Sequence, residues 1–425
     1  MIHNILVKLN QLKAWRRLRL VLSNSLNQTI LVLFGPLFSF TVIRSSSLEV
    51  WGAFVEVLVV VQLGAHITSW GNKEYLLRKF SRNPAGMRSS WQDAFVTRLP
   101  LLLGLFLILA IIYPTAYWPF LMLWAVGVFL SQSYNVLVVY RRDFVVAAAL
   151  ELLTLFLLVG VVFYQRHVLD LALLIAVYGV IQGLKGGLYA LHYRLETQFG
   201  QLWAHFRQHF VPHYWRAALP FFLLTFSGLL NSRIDLYAVN FFLSPREVAE
   251  YQVFINFMLY MQMAAGIILL PFVKSIYRLT YSTIFKLASR LFLIGLVLIP
   301  LAMPVVYLAL RIMYGIVLRP TYFLWGILFI LPIYYYAPLI YALFKAEKQG
   351  LVILINFLGV TISLVLNIIL LPRMGSEGAI LVAALVSWLA MIIYIFSLRR
   401  QMKTARNNES DELTLPPTSE PLGID

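Results

Sequence analysis

Residues 99–140 read LPLLLGLFLILAIIYPTAYWPFLMLWAVGVFLSQSYNVLVVY, forty-two positions without one charged side chain. Roughly 20 apolar residues cross a bilayer as a helix, and hydrocarbon accepts only helices or closed barrels because every backbone polar group must be satisfied internally. The stretch therefore predicts two crossings, 93–113 and 117–139, reversing around Tyr113-Pro114.

The same pattern recurs on both sides. Further spans are expected at 20–43, 48–70, 144–164, 169–191, 217–242, 248–273, 287–309, 321–344, 351–372 and 379–397, giving twelve. With 61% hydrophobic and 12% charged residues, the chain carries more apolar surface than a soluble domain could hide. The fold class is an all-α integral membrane protein. There is no cysteine, which excludes disulfides and thiolate metal sites.

The net charge of +16 could suggest nucleic acid, but its distribution points to a membrane instead. Twenty-five of the 34 Lys and Arg residues fall on alternate connections and the termini. Six, Arg44, Arg166, Arg246, Arg311, Arg319 and Arg373, fall on the other side, and Arg98, Lys185 and Arg233 lie inside spans. By the positive-inside rule both termini are expected in the cytoplasm of a multi-pass inner-membrane protein.

Residues 1–18 place Ile2, Ile5, Leu6, Leu9, Leu12 and Trp15 at helical spacing, which predicts an amphipathic helix on the inner leaflet. The first span is too long for a signal peptide and lacks a small-residue cleavage site after it. The expected organisation is a six-helix lobe at 19–191, an interfacial linker at 192–216 and a second six-helix lobe at 217–397. A disordered cytoplasmic tail is expected at 398–425, since Asn407–Asp425 is polar, acidic and proline-containing. The two halves share a capped turn: Ser47 precedes Glu49 before the second span, and Ser244 precedes Glu247 before the eighth. A two-half repeat places a transporter's substrate between its halves.

Several stretches resemble the polysaccharide and O-antigen flippases (Wzx-like) of the multidrug/oligosaccharidyl-lipid/polysaccharide exporter (MOP) superfamily. They are Thr41-Val42-Ile43-Arg44 through Trp51-Gly52-Ala53-Phe54, Gln62-Leu63-Gly64 with Tyr75-Leu76-Leu77-Arg78-Lys79-Phe80, and Leu371-Pro372-Arg373-Met374-Gly375-Ser376-Glu377-Gly378. Ser232-Arg233-Ile234-Asp235 through Glu250-Tyr251 is a further such stretch, and its Asp235-to-Tyr251 block is the most specific, with Ala249 where that family often has glycine. The resemblance implies a V-shaped, two-lobed, alternating-access transporter related to the multidrug (MATE) branch. It also implies a substrate made of sugars on a polyprenyl diphosphate, and possible partnership with glycan polymerase or ligase machinery besides membrane lipids.

Ionisable groups inside spans are costly and are functional candidates by default. Glu56 and Arg233 both lie about 12–14 Å from the end opposite the basic connections, at 1.5 Å per residue. They are expected to face one central cavity and to pair across it. Arg233 is the candidate for the diphosphate, because a guanidinium fork matches phosphate oxygens. Arg44 and Arg98 are expected as guides at the two ends. Glu56 and Asp235 are the candidate carboxylates for ion coupling or gating. Asn24, Asn27 and Gln28 on the first span, Asn231 on the seventh and Asn256 on the eighth form polar stripes suited to sugar hydroxyls, although polar stripes also join membrane helices. Lys185 is expected to snorkel to the cytoplasmic interface. Glu151 is divided between a helix contact and the cavity. His205, His209 and His213 have a metal-like spacing, but Pro212 interrupts them and no acid supports them, so an interfacial role is expected.

No cofactor, metal or nucleotide site is expected, since the chain has no Walker motif and no nucleophile elbow. The external turns are too short for an enzyme's catalytic loop. The leading expectation is a flippase for a lipid-linked oligosaccharide, such as an O-antigen, capsule or exopolysaccharide repeat unit. The alternative is an ion-coupled drug or small-molecule antiporter of the same fold.

Overall fold

The structure is a computed structural model that describes residues 26–198, 206–269 and 276–414. Among them there is no strand. We number the twelve long helices in chain order. The first lobe contains α1 (Leu26–Ser45), α2 (Leu48–Ser69), α3 (Met87–Ile112), α4 (Trp118–Arg141), α5 (Phe144–Tyr164) and α6 (Leu171–His192). The second contains α7 (His213–Phe242), α8 (Pro245–Leu269), α9 (Tyr281–Ala309), α10 (Pro320–Lys345), α11 (Gln349–Met374) and α12 (Ser376–Thr414).

Eleven of these are long and apolar enough to cross a membrane. The remaining one, α8, has the length but carries Glu247, Glu250, Gln252, Asn256 and Gln262. Gln252 and Asn256 line the cavity between the lobes, and Gln262 donates to the Phe329 carbonyl inside the second lobe, so these polar residues face protein. The expected amphipathic helix at 1–18 and residues 415–425 lie outside the described residues. The last helix runs past the expected end at 397 to Thr414, so this part of the expected tail is helical.

Helix ends follow local chemistry. Ser47 accepts a bond from Val50 N at 3.3 Å and starts α2. Glu247 reaches back to accept from Ser244 N at 3.2 Å, the carboxylate half of a capping box ahead of α8. Asp170 caps α6 by accepting from Leu173 N at 2.8 Å. An amphipathic helix at Asn72–Arg82 follows α2 and buries Leu76 and Phe80.

The two lobes repeat one pattern of helix contacts. In the first, α4 packs on α2, α3 and α6, and α5 on α6; in the second, α10 packs on α8, α9 and α12, and α11 on α12. Small residues permit the closest approach, as expected where apolar solvent gives helices no hydrophobic drive to associate. A Cβ on Gly127 of α4 would stand 2.1 Å from the Gln182 carbonyl oxygen of α6. The lobes meet where α2 and α8 begin: a Cβ on Gly52 would stand 1.6 Å from the Pro245 carbonyl oxygen. Phe38, Trp51, Phe54, Trp124 and Tyr178 pack ring against ring beneath that junction, binding α1, α2, α4 and α6 together.

Candidate functional site

Between the lobes lies a cavity of about 240 Å³. Its first-lobe wall includes Phe34 and Gly35 of α1, Gln62 of α2 and Tyr178 of α6; the second lobe supplies Arg233, Gln252, Asn256 and Tyr260. Trp51 Nε1 donates to Gln252 Oε1 at 3.0 Å and closes one end across the lobes. At that same end Arg246 and Glu49 stand 3.7 Å apart. At the basic end Trp70 stacks on Phe222 with centroids 4.2 Å apart, and its Nε1 donates to the Trp215 carbonyl at 3.2 Å. The cavity is thus bounded by interlobe contacts at both ends.

Arg233 is the cation in this cavity. Its Nη1 donates to Asn256 Oδ1 at 3.1 Å, and among the described residues it forms no ion pair. Asp235, two residues on, faces elsewhere, as side chains two apart on a helix must. It is buried, accepts from the Tyr251 hydroxyl, and lines a separate cavity of about 150 Å³ inside the second lobe. Asn231 lines that same cavity and abuts Gly359 of α11, so it does not join Arg233.

Glu56 and Arg233 do not meet. Val55, Leu58 and Val59 line the cavity, while Glu56 does not and forms no ion pair among the described residues. The two positions agree in depth but differ in direction around the helix.

Arg44 and Arg98 serve the frame. Arg44 donates to the carbonyls of Ile312 and Met313, tying α1 to the Leu310–Tyr314 turn that ends α9. A cation there also complements the negative end of that helix. Arg98 is fully buried: Nε donates to Ala94 O at 2.9 Å, Nη1 to Thr68 O at 3.3 Å and Nη2 to Ser133 Oγ at 2.9 Å. It neither reaches an interface nor lines the central cavity.

Asn27 and Gln28 line a different space, of about 480 Å³, inside the first lobe. Asn24 lies outside the described residues. So does His205; His209 Nδ1 lies 2.9 Å from Asp93 Oδ1, and no group of metal-binding side chains occurs among the described residues. Tyr334 donates to the Met261 carbonyl, Tyr335 packs on Phe292 and Tyr336 on Tyr394, so that run packs the second lobe.

One pair of polar residues was not anticipated as a site. Lys185 of α6 forms an ion pair with Glu151 of α5 rather than snorkelling. The signal was present: each lies seven residues from the basic end of its helix, on consecutive spans. Equal depth on adjacent antiparallel helices is what an intramembrane pair requires.

No protein-family model matches the chain, and no curated protein matches it significantly in sequence. Solved structures do match. A structure of the lipid II flippase MurJ in an inward closed conformation aligns over 88% of this chain and 87% of its own, with 13% identity and a TM-score of 0.66. An inward-facing multidrug resistance transporter of the MATE family aligns over 90% and 99%, with 14% identity and a TM-score of 0.57. The MATE transporter VcmN of Vibrio cholerae aligns over 91% and 96%, with 13% identity and a TM-score of 0.52. At such identities the likeness speaks for the fold. The chain is an all-α membrane protein of twelve long helices in two lobes, with a fold similar to those of the solved MurJ flippase and MATE transporter structures.

Proposed function

We propose that this protein is a flippase that moves an oligosaccharide on a polyprenyl diphosphate across the bacterial cytoplasmic membrane. One observation carries the reading: an arginine without an ion-pair partner among the described residues stands in the cavity between the lobes. A diphosphate brings negative charge that must be met during passage, and Arg233 can offer its remaining N–H groups to it. Among the described residues the cavity lining contains no carboxylate, which disfavours a cationic cargo for the alternative, an ion-coupled drug or small-molecule antiporter.

In this account both termini are cytoplasmic and the substrate comes from the inner leaflet. The diphosphate meets Arg233, steadied by Asn256, while the lipid tail stays in the bilayer. The lobes then part at the Trp51–Gln252 end. No covalent step is involved. Asp235 and Glu56, on separate lobes, would couple the motion to an ion gradient. Glycan polymerase or ligase machinery would consume the product.

Deletion tests the reading in cells. Lipid-linked oligosaccharide should accumulate on the inner leaflet, and plasmid-borne protein should clear it. An unchanged pool would exclude a flippase for that substrate.

A further inference from the structure

The first lobe holds two more cavities, of about 410 and 480 Å³. The first shares Leu31, Phe34, Leu58, Gln62 and Tyr178 with the central cavity. It shares Leu31 and Glu151 with the second. The three form one chain of spaces, from Arg233 past the Glu151–Lys185 pair to Lys73 at the basic end.

The walls of the inner spaces are rich in groups that hold hydroxyls. Gln62, Gln132 and Gln182 line the same space as the ion pair. Asn27 is only 7% exposed, yet its Oδ1 has no hydrogen-bond partner among the described residues; Gln132 Oε1 is buried and likewise without one. A buried acceptor left unpaired is costly, and such groups are ordinarily satisfied by something that occupies the space beside them. The side chains of Lys185 and Glu151 are 12% and 11% exposed. Pairs of this kind add little stability over apolar residues of similar size, so packing alone does not account for them. Each inner space falls in the range of roughly 300–1,000 Å³ typical of small-molecule sites, whereas the central cavity is smaller.

We infer that the first-lobe chamber around Glu151 and Lys185 is a glycan subsite, distinct from the diphosphate site at Arg233. This rests on the flippase reading and adds an order to it. Sugar hydroxyls bridge the Glu151 carboxylate, which accepts, and the Lys185 ammonium, which donates. The Gln132 and Asn27 oxygens accept further hydroxyls. The glycan therefore occupies the first lobe while the diphosphate lies at its boundary with the second.

The test separates the two ligands. Lipid-linked oligosaccharide extracted from the producing cells is cleaved by mild acid, and the released soluble glycan is titrated calorimetrically into purified protein. Inorganic pyrophosphate is titrated in parallel. The variants are Glu151→Gln, Lys185→Met, Arg233→Gln and the swap Glu151→Lys with Lys185→Glu, which retains an ion pair and guards against loss of folding. Glycan affinity should fall about tenfold or more in the first two and in the swap, and hold in Arg233→Gln. Pyrophosphate affinity should show the reverse. Glycan binding that is absent from the wild type, unchanged in Glu151→Gln and Lys185→Met, or fully restored by the swap would overturn the subsite. Wild-type protein that neither binds pyrophosphate nor flips the intact lipid-linked glycan would instead remove the flippase reading itself.

Discussion

Arg233 Nη1 and Asn256 Oδ1 lie 3.1 Å apart on neighbouring helices, and this bond aims the guanidinium into the space between the lobes. A neutral amide can hold the cation without cancelling its charge. Asn256→Asp should therefore harm transport more than Asn256→Ala, because a carboxylate would pair with Arg233 and compete with the diphosphate. Loss of the amide alone should cost about 1 kcal/mol of substrate binding, roughly fivefold. Initial flipping rates of the two variants check the order.

Gly52 should be the least replaceable residue of the α2–α8 contact. A Cβ there would overlap the Pro245 carbonyl at 1.6 Å, and backbone cannot step aside as a side-chain tip can. Gly52→Leu should hold the lobes apart at that end. The chain has no cysteine, so Glu49→Cys with Arg246→Cys can be introduced cleanly. A short bifunctional thiol reagent should link this pair in the otherwise native protein and link it poorly when Gly52→Leu is added.

Arg98→Met should lower stability, not substrate recognition. It removes bonds to Ala94, Thr68 and Ser133 and leaves buried acceptors unpaired, at a cost of about 3 kcal/mol. The melting temperature should fall, while the protein that remains folded binds pyrophosphate as the wild type does.

Charge reversal at Glu56 and Arg233 together should not rescue the loss caused by Arg233→Glu. The cavity wall belongs to the neighbours of Glu56, and the two side chains form no ion pair, so no contact exists to restore. Recovery of flipping in the double variant would show that the two groups meet in another conformation.

The contrast between these residues shows what the chain discloses by itself. Span length and the alternation of basic connections give number and depth, because the bilayer fixes both. Depth and the polar stripe of α8 point Arg233 and Asn256 to the space between the lobes, which both line, and spacing along one helix separates Arg233 from Asp235. Depth does not give direction around the axis, which depends on neighbouring helices, so it does not show that Glu56 and Asn231 stand off the central cavity. Thr68 O and Ser133 Oγ, which hold the Arg98 fork, and the carbonyls that hold Arg44 belong to other helices and leave no mark near those arginines in the sequence. Glu151 and Lys185 share one depth, which shows only when the two adjacent spans are compared.

The most direct measurement places wild-type protein, Arg233→Lys and Arg233→Gln in vesicles with a fluorescent polyprenyl-diphosphate oligosaccharide and follows its loss from one leaflet. Wild type should transfer it, Arg233→Gln should be slower by about ten- to hundredfold, and Arg233→Lys should fall between, since it keeps the charge without the fork. Transfer by Arg233→Gln at the wild-type rate would contradict the account.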